Sequence, residues 1–484
     1  MRKQIRAVFL AFAAVYCAQA QLSPYDYNAP FGWAVCTSLT SGDDYALTGG
    51  GNGTSITLKS NGGDMRTSID NAIRNYDVII LDGSAGDFTV SSSLSLKNIC
   101  NKTIVGINNA RLCTQFHVTD EIKAVLDSVG VKNMSGSSGG GTLVNGSYVK
   151  EEGEFFTRKT LIELSGDQSE RYRKSGVFTI NGCENFIIRN LSFIGPGSVD
   201  VGGYDLISVV GSTHLWIDHC SFTDGMDGNL DITNKADFVT VSWCTFAYSE
   251  RSYAHAFSNL IAGSDDPSQG EYNLNVTWAN CWWKSGCKNR MPMARFGVIH
   301  LYDNFYDCPG ASVCINPQKE SDFLIENNYF SPGVNRIFSQ KNATAYVWHG
   351  NLFSEPFTPT DRGSVHIPYT YTLYNASEVE ATVSNSITGA GNTLKEPLDM
   401  TPNQTSARNE CDTSPSLVFT RTEIVAADSS FPIYLYSANG VLVGSGKGKL
   451  DTTPFSQGYY NSLRERGSAH CYPLASYKLS NIIL

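Results

Sequence analysis

The middle of the chain repeats a short pattern of apolar and polar positions that closes on a large aromatic side chain. The pattern first occurs at Ile217-Asp-His-Cys-Ser-Phe222, and its closing aromatics are separated by 24, 37, 23, 24 and 23 residues. These closing residues are Phe222, Phe246, Trp283, Tyr306, Phe330 and Phe353. Short β-branched and aromatic runs without amphipathic helices between them predict strands. A period of this length indicates a solenoid of stacked coils.

The repeat predicts an all-β fold, a right-handed parallel β-helix in which each coil stacks about 4.8 Å above the last. Leucine-rich repeats have a similar period, but their leucine ladder is absent here. One inward column of the stack begins with cysteines and continues with asparagines: Cys220, Cys244, Cys281, Asn304, Asn328 and Asn351. We expect the cysteines to be buried in the stack and the asparagines to hydrogen-bond along it at a turn.

Two segments depart from the repeat. The interval of 37 residues equals an ordinary coil plus about 13 residues, which we expect to leave the solenoid as a loop within residues 249–270. Residues 132–173 are rich in Gly, Ser and charge and predict a larger excursion. Long loops on a rigid scaffold are where binding sites tend to lie.

The ends of the chain differ from the repeat. Residues 1–20 place three basic residues before an apolar run that ends in small side chains, which predicts a secretory signal peptide and a secreted, extracellular protein. The remaining chain is predicted to contain a β-helix domain, a linker and a small C-terminal β module, at residues 21–391, 392–416 and 417–484. Through Pro454-Phe-Ser-Gln-Gly-Tyr-Tyr460 the module faintly resembles sorting domains of bacterial secretion systems, which would place the protein at the cell surface.

Charge and cysteine content narrow the possible functions. The net charge is −10, and −13 without the predicted signal peptide, so nucleic acid is a poor candidate partner. No apolar run after residue 20 predicts a membrane span, and we expect a soluble monomer. The twelve cysteines of the mature chain are compatible with disulfides, for which Cys281/Cys287 and Cys308/Cys314 are local candidates. None of the Cys and His spacings predicts a zinc site.

Three aspartates have the arrangement of a cation site. Asp227 and Asp231 would lie about 13 Å apart in an extended strand, too far to share one ion. Gly228 permits a bend that brings them together, and Asp205 comes from the preceding coil. Since calcium takes six to eight oxygen ligands, largely from carboxylates, the three aspartates predict a calcium site.

Basic residues occur farther along the same repeats. Arg290 and Arg295 are an odd number of residues apart, so a regular strand would point them to opposite faces. Pro292 interrupts the ladder between them and allows both to face one groove. With Lys284 and Lys288 they predict a locally basic groove for a polyanionic substrate, despite the negative net charge.

Together these segments resemble the extracellular pectate lyases of the parallel β-helix polysaccharide lyase family, which includes the Amb allergens. The resemblance extends over about residues 75 to 360. It rests on Trp216-Ile-Asp-His219, Asp227-Gly-Asn-Leu-Asp231, Val239-Thr-Val-Ser-Trp243, Gly263-Ser-Asp265 and Arg290-Met-Pro-Met-Ala-Arg295. The combination is specific, whereas either charged motif alone would be weak.

The resemblance implies a role for each charged position. Asp205, Asp227 and Asp231 are the implied calcium ligands, Arg290 the implied catalytic base and Arg295 the implied substrate-binding arginine. Two further substrate-contacting residues are expected at Lys288 and His255. Arg251 stands where the family usually has a lysine that grips the substrate carboxylate, and arginine can serve as a carboxylate fork there.

The implied reaction is calcium-dependent β-elimination on de-esterified polygalacturonate (pectate). Arg290 would remove the proton from C5 of the uronate, and the C4–O glycosidic bond would break. Arginine is a demanding base, because a guanidinium ordinarily keeps its proton to above about pH 12. Neighbouring cations favour its neutral form, so we expect an alkaline activity optimum.

Three other functions stay open. A pectin lyase would act on methylated pectin with a similar arginine, but would not need three carboxylates. A polygalacturonase would hydrolyse with paired carboxylates such as Asp265-Asp266, but the Gly-His-Gly and Arg-Ile-Lys elements expected with them are missing. A non-catalytic polyuronate-binding protein or adhesin would not need Arg290 beside three aspartates.

Overall fold

In the computed structural model of the chain, the described residues are 28–117, 120, 175–198, 203–252, 255–270 and 273–400, with strand backbones in parts of the remainder. The chain divides into two compact units, one within residues 21–403 and one within residues 404–484. The predicted signal peptide lies outside the described residues. So does the predicted excursion, except for the backbone of a hairpin formed by Thr142–Val144 and Ser147–Val149.

Three parallel sheets run along the first unit, and successive coils contribute one strand to each of them. Sheet 1 contains Ser55–Lys59, Val78–Asp82, Cys100–Ile107, Glu184–Arg189, Thr213–Asp218, Asp237–Ser242, Val276–Ala279, Val298–Tyr302, Asp322–Glu326 and Ala345–His349. Sheet 2 contains Phe88–Val90, Arg111–Thr114, Ser192–Ile194, Ser221–Thr223, Thr245–Ala247, Trp282–Trp283, Phe305–Tyr306, Tyr329–Phe330 and Leu352–Phe353. Sheet 3 contains Leu94–Lys97, Phe178–Asn181, Ile207–Val210, Leu230–Thr233, Leu260–Ile261, Met293–Ala294 and Asn316–Pro317. The fold is the all-β parallel β-helix that the repeat predicts.

A left-handed residue turns the chain from sheet 1 to sheet 2 in coil after coil. These residues, with φ between 47° and 63°, are Asn108, Asn190, His219, Trp243, Asn280, Asp303, Asn327 and Gly350. Asparagine, aspartate and glycine adopt this conformation most readily, which explains much of the composition of the corner. His219 is buried there, its Nδ1 2.8 Å from a carboxylate oxygen of Asp218, so this histidine has a structural role.

The predicted inward columns are present. The closing aromatic rings stack with centroid separations of 5.2 Å for Phe222–Phe246, 5.6 Å for Phe246–Trp283 and 4.8 Å for Trp283–Tyr306. In the second column the Asn304 side chain accepts from the Cys281 amide at 2.8 Å. The Asn304 side-chain amide donates to Asn328 Oδ1 at 2.9 Å, and Asn328 donates to Asn351 in the same way. The four coils that carry Cys281, Asn304, Asn328 and Asn351 are thereby hydrogen-bonded in succession.

The cysteines of the described residues are all free. Cys220, Cys244 and Cys281 are fully buried in the predicted column. Neither predicted local pair is bonded: the Cys281 and Cys287 thiols face different backbone carbonyls, and the Cys308 and Cys314 sulfurs are 3.9 Å apart.

Among the described residues, two helices cover parts of the solenoid. Arg66–Asn75 buries Ile69, Ala72 and Ile73, which share one helical face because they are three and four residues apart, against the first coils. Ala376–Val383 packs Val379 and Val383 against aromatic side chains outside sheet 2. Short 3₁₀ turns occur at Gly32–Val35, Gly83–Ala85 and Pro267–Gln269. Within the described ranges no helix is both long and apolar enough to cross a membrane.

Chain segments from both ends of the first unit meet outside sheet 1 at Arg189. This fully buried side chain pairs with Asp218 at 2.8 Å. It also donates to the Asn28 side chain at 2.6 Å and to the carbonyls of Pro397 and Asp399 at 3.2 and 2.9 Å. Residues 392–400, which open the predicted linker, therefore lie against the solenoid.

The extra residues of the long coil lie mainly after its sheet 3 strand. Fourteen residues separate Ile261 from Val276, whereas two separate Val210 from Thr213 in an earlier coil. The segment that carries Arg251 instead connects sheets 2 and 3, with 12 residues between Ala247 and Leu260. The predicted loop is real, but Leu260–Ile261 divides it, and most of the insertion follows that strand.

The second unit contains two antiparallel sheets. One has three strands, Leu417–Phe419, Glu423–Ala426 and Lys449–Asp451. The other has four, in the order Leu442–Lys447, Pro432–Ser437, Tyr459–Arg464 and Cys471–Lys478.

Candidate active site

The predicted site residues lie on or beside sheet 3 strands of four consecutive coils. Asp205 precedes Ile207–Val210, and Asp231 lies within the next strand, where it pairs in register with Ser208. Arg290 and Arg295 flank the two-residue strand Met293–Ala294. Because successive strands pair in parallel, residues far apart in sequence reach the same patch.

Gly228 lies where two of the carboxylates converge. A Cβ atom at this position would be 2.8 Å from Asp205 Oδ1 and 3.0 Å from Asp231 Oδ1. The other oxygen of Asp205 accepts from Ser208 Oγ at 2.8 Å, and Asp231 Oδ1 accepts from the Leu260 amide at 2.9 Å. Asp205 Oδ1 is buried and has no hydrogen-bond partner. The missing side chain of Gly228 thus leaves a cradle between two acidic oxygens.

The electrostatics of this pair favour a bound cation. Burial raises the pKa of Asp205 to about 6, although the Ser208 hydrogen bond and Arg290 oppose the shift. Burial, and then the charge of Asp205, raise the pKa of Asp231 well above its ordinary value. Two carboxylates that resist ionisation together are stabilised when a divalent ion supplies the missing positive charge.

The third aspartate is oriented differently. Asp227 Oδ1 lies 3.4 Å from Nε2 of His255. Within the described ranges no group of three or more His, Cys, Asp or Glu side chains is arranged to hold a metal ion. The structure therefore brings Asp205 and Asp231 together, while Asp227 contacts a histidine.

His255 is buried beside this cluster. Its ring centroid is 4.0 Å from that of Phe257, and its Nδ1 has no hydrogen-bond partner. Burial, and then the charge of Arg290, lower the pKa of His255 to about 3, so the imidazole is neutral at ordinary pH. A neutral imidazole can donate a hydrogen bond from one ring nitrogen and accept one at the other, and it adds no charge to the site.

Arg290 is held by its backbone on one side of the acidic pair. Its φ of 58° is left-handed, which is rare for a residue with a long side chain, and its amide donates to Asn289 Oδ1 at 2.7 Å. The guanidinium carbon lies 5.1 Å from the ring centroid of Phe257. Backbone strain of this kind is concentrated at functional sites. The Met291–Pro292 peptide that follows is cis.

The other predicted basic residues have partners within the chain. Arg295 Nε donates to Asp265 at 2.6 Å, and its Nη1 donates to the Ala262 carbonyl at 2.9 Å. Arg251 lies 3.3 Å from the exposed Asp120. Lys288 is held by its backbone, since its amide donates to the Ala256 carbonyl at 2.9 Å.

Sequence reasoning missed several contributors to the site. Phe257 and Ser208 had no signal, because neither belongs to a charged motif. Gly228 was interpreted as a bend, but its absent side chain is what makes room for the carboxylates. The sequence marks Asp265 as part of a motif and of a carboxylate pair, but not as a partner of Arg295, because that ion pair depends on the path of the inserted loop.

The fold and the site define a parallel β-helix protein with an acidic and basic cluster on one sheet. Residues 123–393, more than half of the chain, match the family model described as pectate lyase, so the chain belongs to the pectate lyase family.

Named relatives agree over part of the chain. A pectate trisaccharide-lyase of Thermotoga maritima is 34% identical over 174 residues, which is 34% of this chain and 44% of that protein. Pectate lyase A of Aspergillus niger is 34% identical over 220 residues, 44% of this chain and 63% of that protein. The alignments therefore cover less than two thirds of these relatives.

Solved structures are also similar. A pectate lyase from Bacillus sp. N165, crystallised with trigalacturonate, has a TM-score of 0.48 and 18% identity, covering 75% of this chain and 98% of that one. A pectate lyase from Paenibacillus sp. 0602 has a TM-score of 0.49 and 14% identity, covering 78% and 99%.

Proposed function

We propose that the chain is a secreted pectate lyase that cleaves de-esterified polygalacturonate by β-elimination. The observation that carries the proposal is the convergence of Asp205 and Asp231 at Gly228 beside Arg290. Membership of the pectate lyase family and the similarity to a pectate trisaccharide-lyase and a pectate lyase support the same reaction.

A calcium ion is the cofactor that the acidic cradle fits. Asp205 and Asp231 would hold it, with Asp227 as the third carboxylate, because hard cations take oxygen ligands and Asp205 Oδ1 lacks a partner. Bound calcium would neutralise these carboxylates and polarise the carboxylate of the substrate uronate. To serve as that third ligand, Asp227 would have to turn away from His255, whose Nε2 lies 3.4 Å from its Oδ1.

Arg290 is the proposed base. It takes the proton from C5, and the C4–O bond breaks as the C4–C5 double bond forms. The leaving oxygen takes a proton from solvent water, and Arg290 returns its proton to solvent. Its left-handed backbone and the face of Phe257 restrict where the guanidinium can go, which favours proton transfer at one position. Activity should rise toward alkaline pH, because a general base must be free of the proton that it accepts.

Arg295, Arg251, Lys288 and His255 are the proposed substrate contacts. A polyuronate carries one carboxylate per sugar, and an arginine binds a carboxylate with two parallel hydrogen bonds. Arg295 and Arg251 each already contact an exposed aspartate, so a uronate carboxylate would compete with Asp265 and Asp120 for them.

Secretion follows from the proposed signal peptide. In an oxidising compartment Cys308 and Cys314, 3.9 Å apart, are the proposed site of a disulfide. The C-terminal module, residues 417–484, is proposed to follow the linker as a separate β domain.

The experiment that tests the reaction is ultraviolet absorbance during incubation with de-esterified polygalacturonate at alkaline pH. We expect a rise with calcium that chelator stops, because the product carries a conjugated C4–C5 double bond. New reducing ends without absorbance would mean hydrolysis, and a preference for methylated pectin without calcium would mean a pectin lyase.

Arg290→Ala tests the assignment of the base. We expect kcat/KM to fall by about 10³-fold, the range of a general base, with polymer binding retained. Arg362→Ala, an exposed arginine elsewhere on the solenoid, is the matched control and should leave turnover unchanged. Tight calcium-dependent binding by a wild type without turnover would favour the adhesin.

A further inference from the structure

Asp224 is a buried carboxylate close to the site in sequence that is used differently from its neighbours. It is the first of three aspartates in the segment Asp224-Gly-Met-Asp227-Gly-Asn-Leu-Asp231 and is only 5% exposed. One of its oxygens, Oδ1, accepts from the Ser249 amide at 2.7 Å and from Ser252 Oγ at 2.8 Å. The other accepts from Ser249 Oγ at 2.6 Å.

These donors come from the segment that carries Arg251. The Arg251 amide itself donates to Ser249 Oγ at 3.2 Å, and the Ser252 amide closes a turn on the Ser249 carbonyl at 3.0 Å. Arg251 thus lies on a four-residue turn whose first and last residues are both bonded to one carboxylate.

The same turn is tied to a third coil. Ser252 Oγ accepts from the Ser198 amide at 2.9 Å, and the Gly197 amide donates to the Asp224 carbonyl at 2.9 Å. Asp224 has a left-handed φ of 61°, a conformation that aspartate tolerates better than most residues. Three successive coils are therefore bonded together at this corner, all through Asp224 and Ser252.

We propose that Asp224 is a positioning residue for Arg251, an inference that rests on the proposed function. The carboxylate fixes the turn, and the turn fixes where the Arg251 guanidinium, 41% exposed, meets a substrate carboxylate. With three short hydrogen bonds inside the protein, Asp224 acts by accepting from the turn and not by binding the cation.

Kinetics of three kinds of variant test this role. Asp224→Ala removes both acceptor oxygens and with them all three hydrogen bonds. We expect KM for polygalacturonate to rise about tenfold with kcat changed much less, because binding and not chemistry is lost. Asp224→Asn should restore most of the wild-type KM, since its oxygen accepts as before and its amide can donate to Ser249 Oγ. The double variant Ser249→Ala/Ser252→Ala should reproduce the defect of Asp224→Ala while leaving the aspartate in place.

Asp237→Ala is the matched control. Asp237 is also a buried aspartate that accepts from a backbone amide and from asparagine side chains, but it begins a sheet 1 strand. The Asp237→Ala substitution should lower the free energy of unfolding without changing KM for polygalacturonate. A KM for Asp224→Ala equal to that of the control would overturn the proposal.

Calcium titration distinguishes positioning from metal binding. The calcium concentration for half-maximal activity should be the same in Asp224→Ala as in the wild type. If that concentration rises and Asp224→Asn fails to rescue, Asp224 is a calcium ligand and the proposal is wrong.

A measurement without substrate keeps this inference separate from the proposed lyase activity. Limited trypsin digestion, followed at the Arg251–Ser252 bond by mass spectrometry, should cut Asp224→Ala several-fold faster than wild type and Asp237→Ala. If the wild type has no lyase activity but this bond is protected as expected, the proposed function is wrong. The conclusion that Asp224 holds the turn of residues 249–252 is then still supported. Equal cleavage in both aspartate variants would show that Asp224 does not hold the turn.

Discussion

Gly228 shows how a single missing side chain can create a site. A methyl group there would lie 2.8 Å from Asp205 Oδ1, closer than real Cβ contacts allow, and 3.0 Å from Asp231 Oδ1, closer than most of them. Gly228→Ala should therefore force the carboxylates apart. We expect the calcium concentration for half-maximal activity to rise at least about tenfold, equivalent to about 1.4 kcal/mol of binding free energy.

Gly263→Ala is the matched control for this substitution. The nearest atom to a Cβ at Gly263 is Gln269 Oε1 at 3.6 Å, an ordinary contact. Its calcium dependence should match the wild type. A calcium titration in which both alanine variants coincide would mean that the cradle at Gly228 does not hold the cation.

For individual residues, the sequence predicts which side chains lie in the same part of the sheet. It does not predict which of them contact each other. The repeat brings Asp205, Asp231 and Arg290 to one sheet, on or beside its strands, because the period sets the register. The contacts of Asp227 with His255 and of Arg295 with Asp265 depend on loop backbones that no period specifies. The charged motifs therefore indicate where the site lies on the sheet. Which side chains pair within the site depends on the conformations of the loops.

The asparagine column adds side-chain hydrogen bonds between coils that are also joined by parallel strands. Asn304 is fully buried, accepts from the Cys281 amide and donates to the Trp278 carbonyl at 2.9 Å. Asn304→Ala removes these two hydrogen bonds, and both backbone groups are buried away from water. We expect unfolding to require about 3 kcal/mol less free energy, since each unsatisfied buried group costs about 1–3 kcal/mol.

Urea denaturation followed by circular dichroism measures this loss. Asn351→Ala supplies the comparison, because Asn351 ends the same column and is only half-buried. Its effect should be less than half as large. If the two losses were equal, burial of the column would not be the source of its stability.

Element by element, the spacing of aromatics predicts the coils correctly, because aromatic side chains stack in register between strands as short as Trp282–Trp283. The same spacing does not show that a strand lies within the long coil, between the segment that carries Arg251 and the inserted loop. Leu260–Ile261 is too short to give a recognisable pattern, so the prediction merged the turn before it with the loop after it.

For the first compact unit as a whole, Arg189 joins segments that the sequence keeps apart. Its hydrogen bonds span 161 residues to Asn28 and 210 residues to Asp399. No local pattern predicts such contacts, and residues 392–400 were accordingly assigned to a linker. Their composition is typical of linkers, but their backbone carbonyls are what Arg189 binds.

The Arg189–Asp218 pair predicts a pH dependence of stability. Burial opposes ionisation of Asp218, but His219, Arg189 and hydrogen bonds outweigh it and lower the pKa of Asp218. A carboxyl with a lowered pKa stabilises the fold above its unfolded value of about 3.9, and this stabilisation disappears as the pH falls through the folded value. Asp218→Asn should cost about 3–5 kcal/mol near neutral pH, because it leaves a buried guanidinium unpaired.

The difference in unfolding free energy between wild type and Asp218→Asn should narrow as the pH falls below about 4. Urea titrations from pH 6 to pH 3 measure it. Asp87→Asn removes an exposed partner of Arg111 and should cost less than about 1 kcal/mol throughout. A difference for Asp218→Asn that stayed constant with pH would contradict the lowered pKa.

The position of the site along the solenoid has a practical consequence. Three further sheet 1 strands, Val298–Tyr302, Asp322–Glu326 and Ala345–His349, follow Arg295. Repeat proteins are stabilised by contacts between neighbours, so coils at an end can fray while central ones persist. An enzyme assay would report only the central coils, and residual turnover on heating would overstate how much of the molecule is still native. Amide hydrogen exchange, resolved by coil, would record that erosion from the ends before any activity was lost.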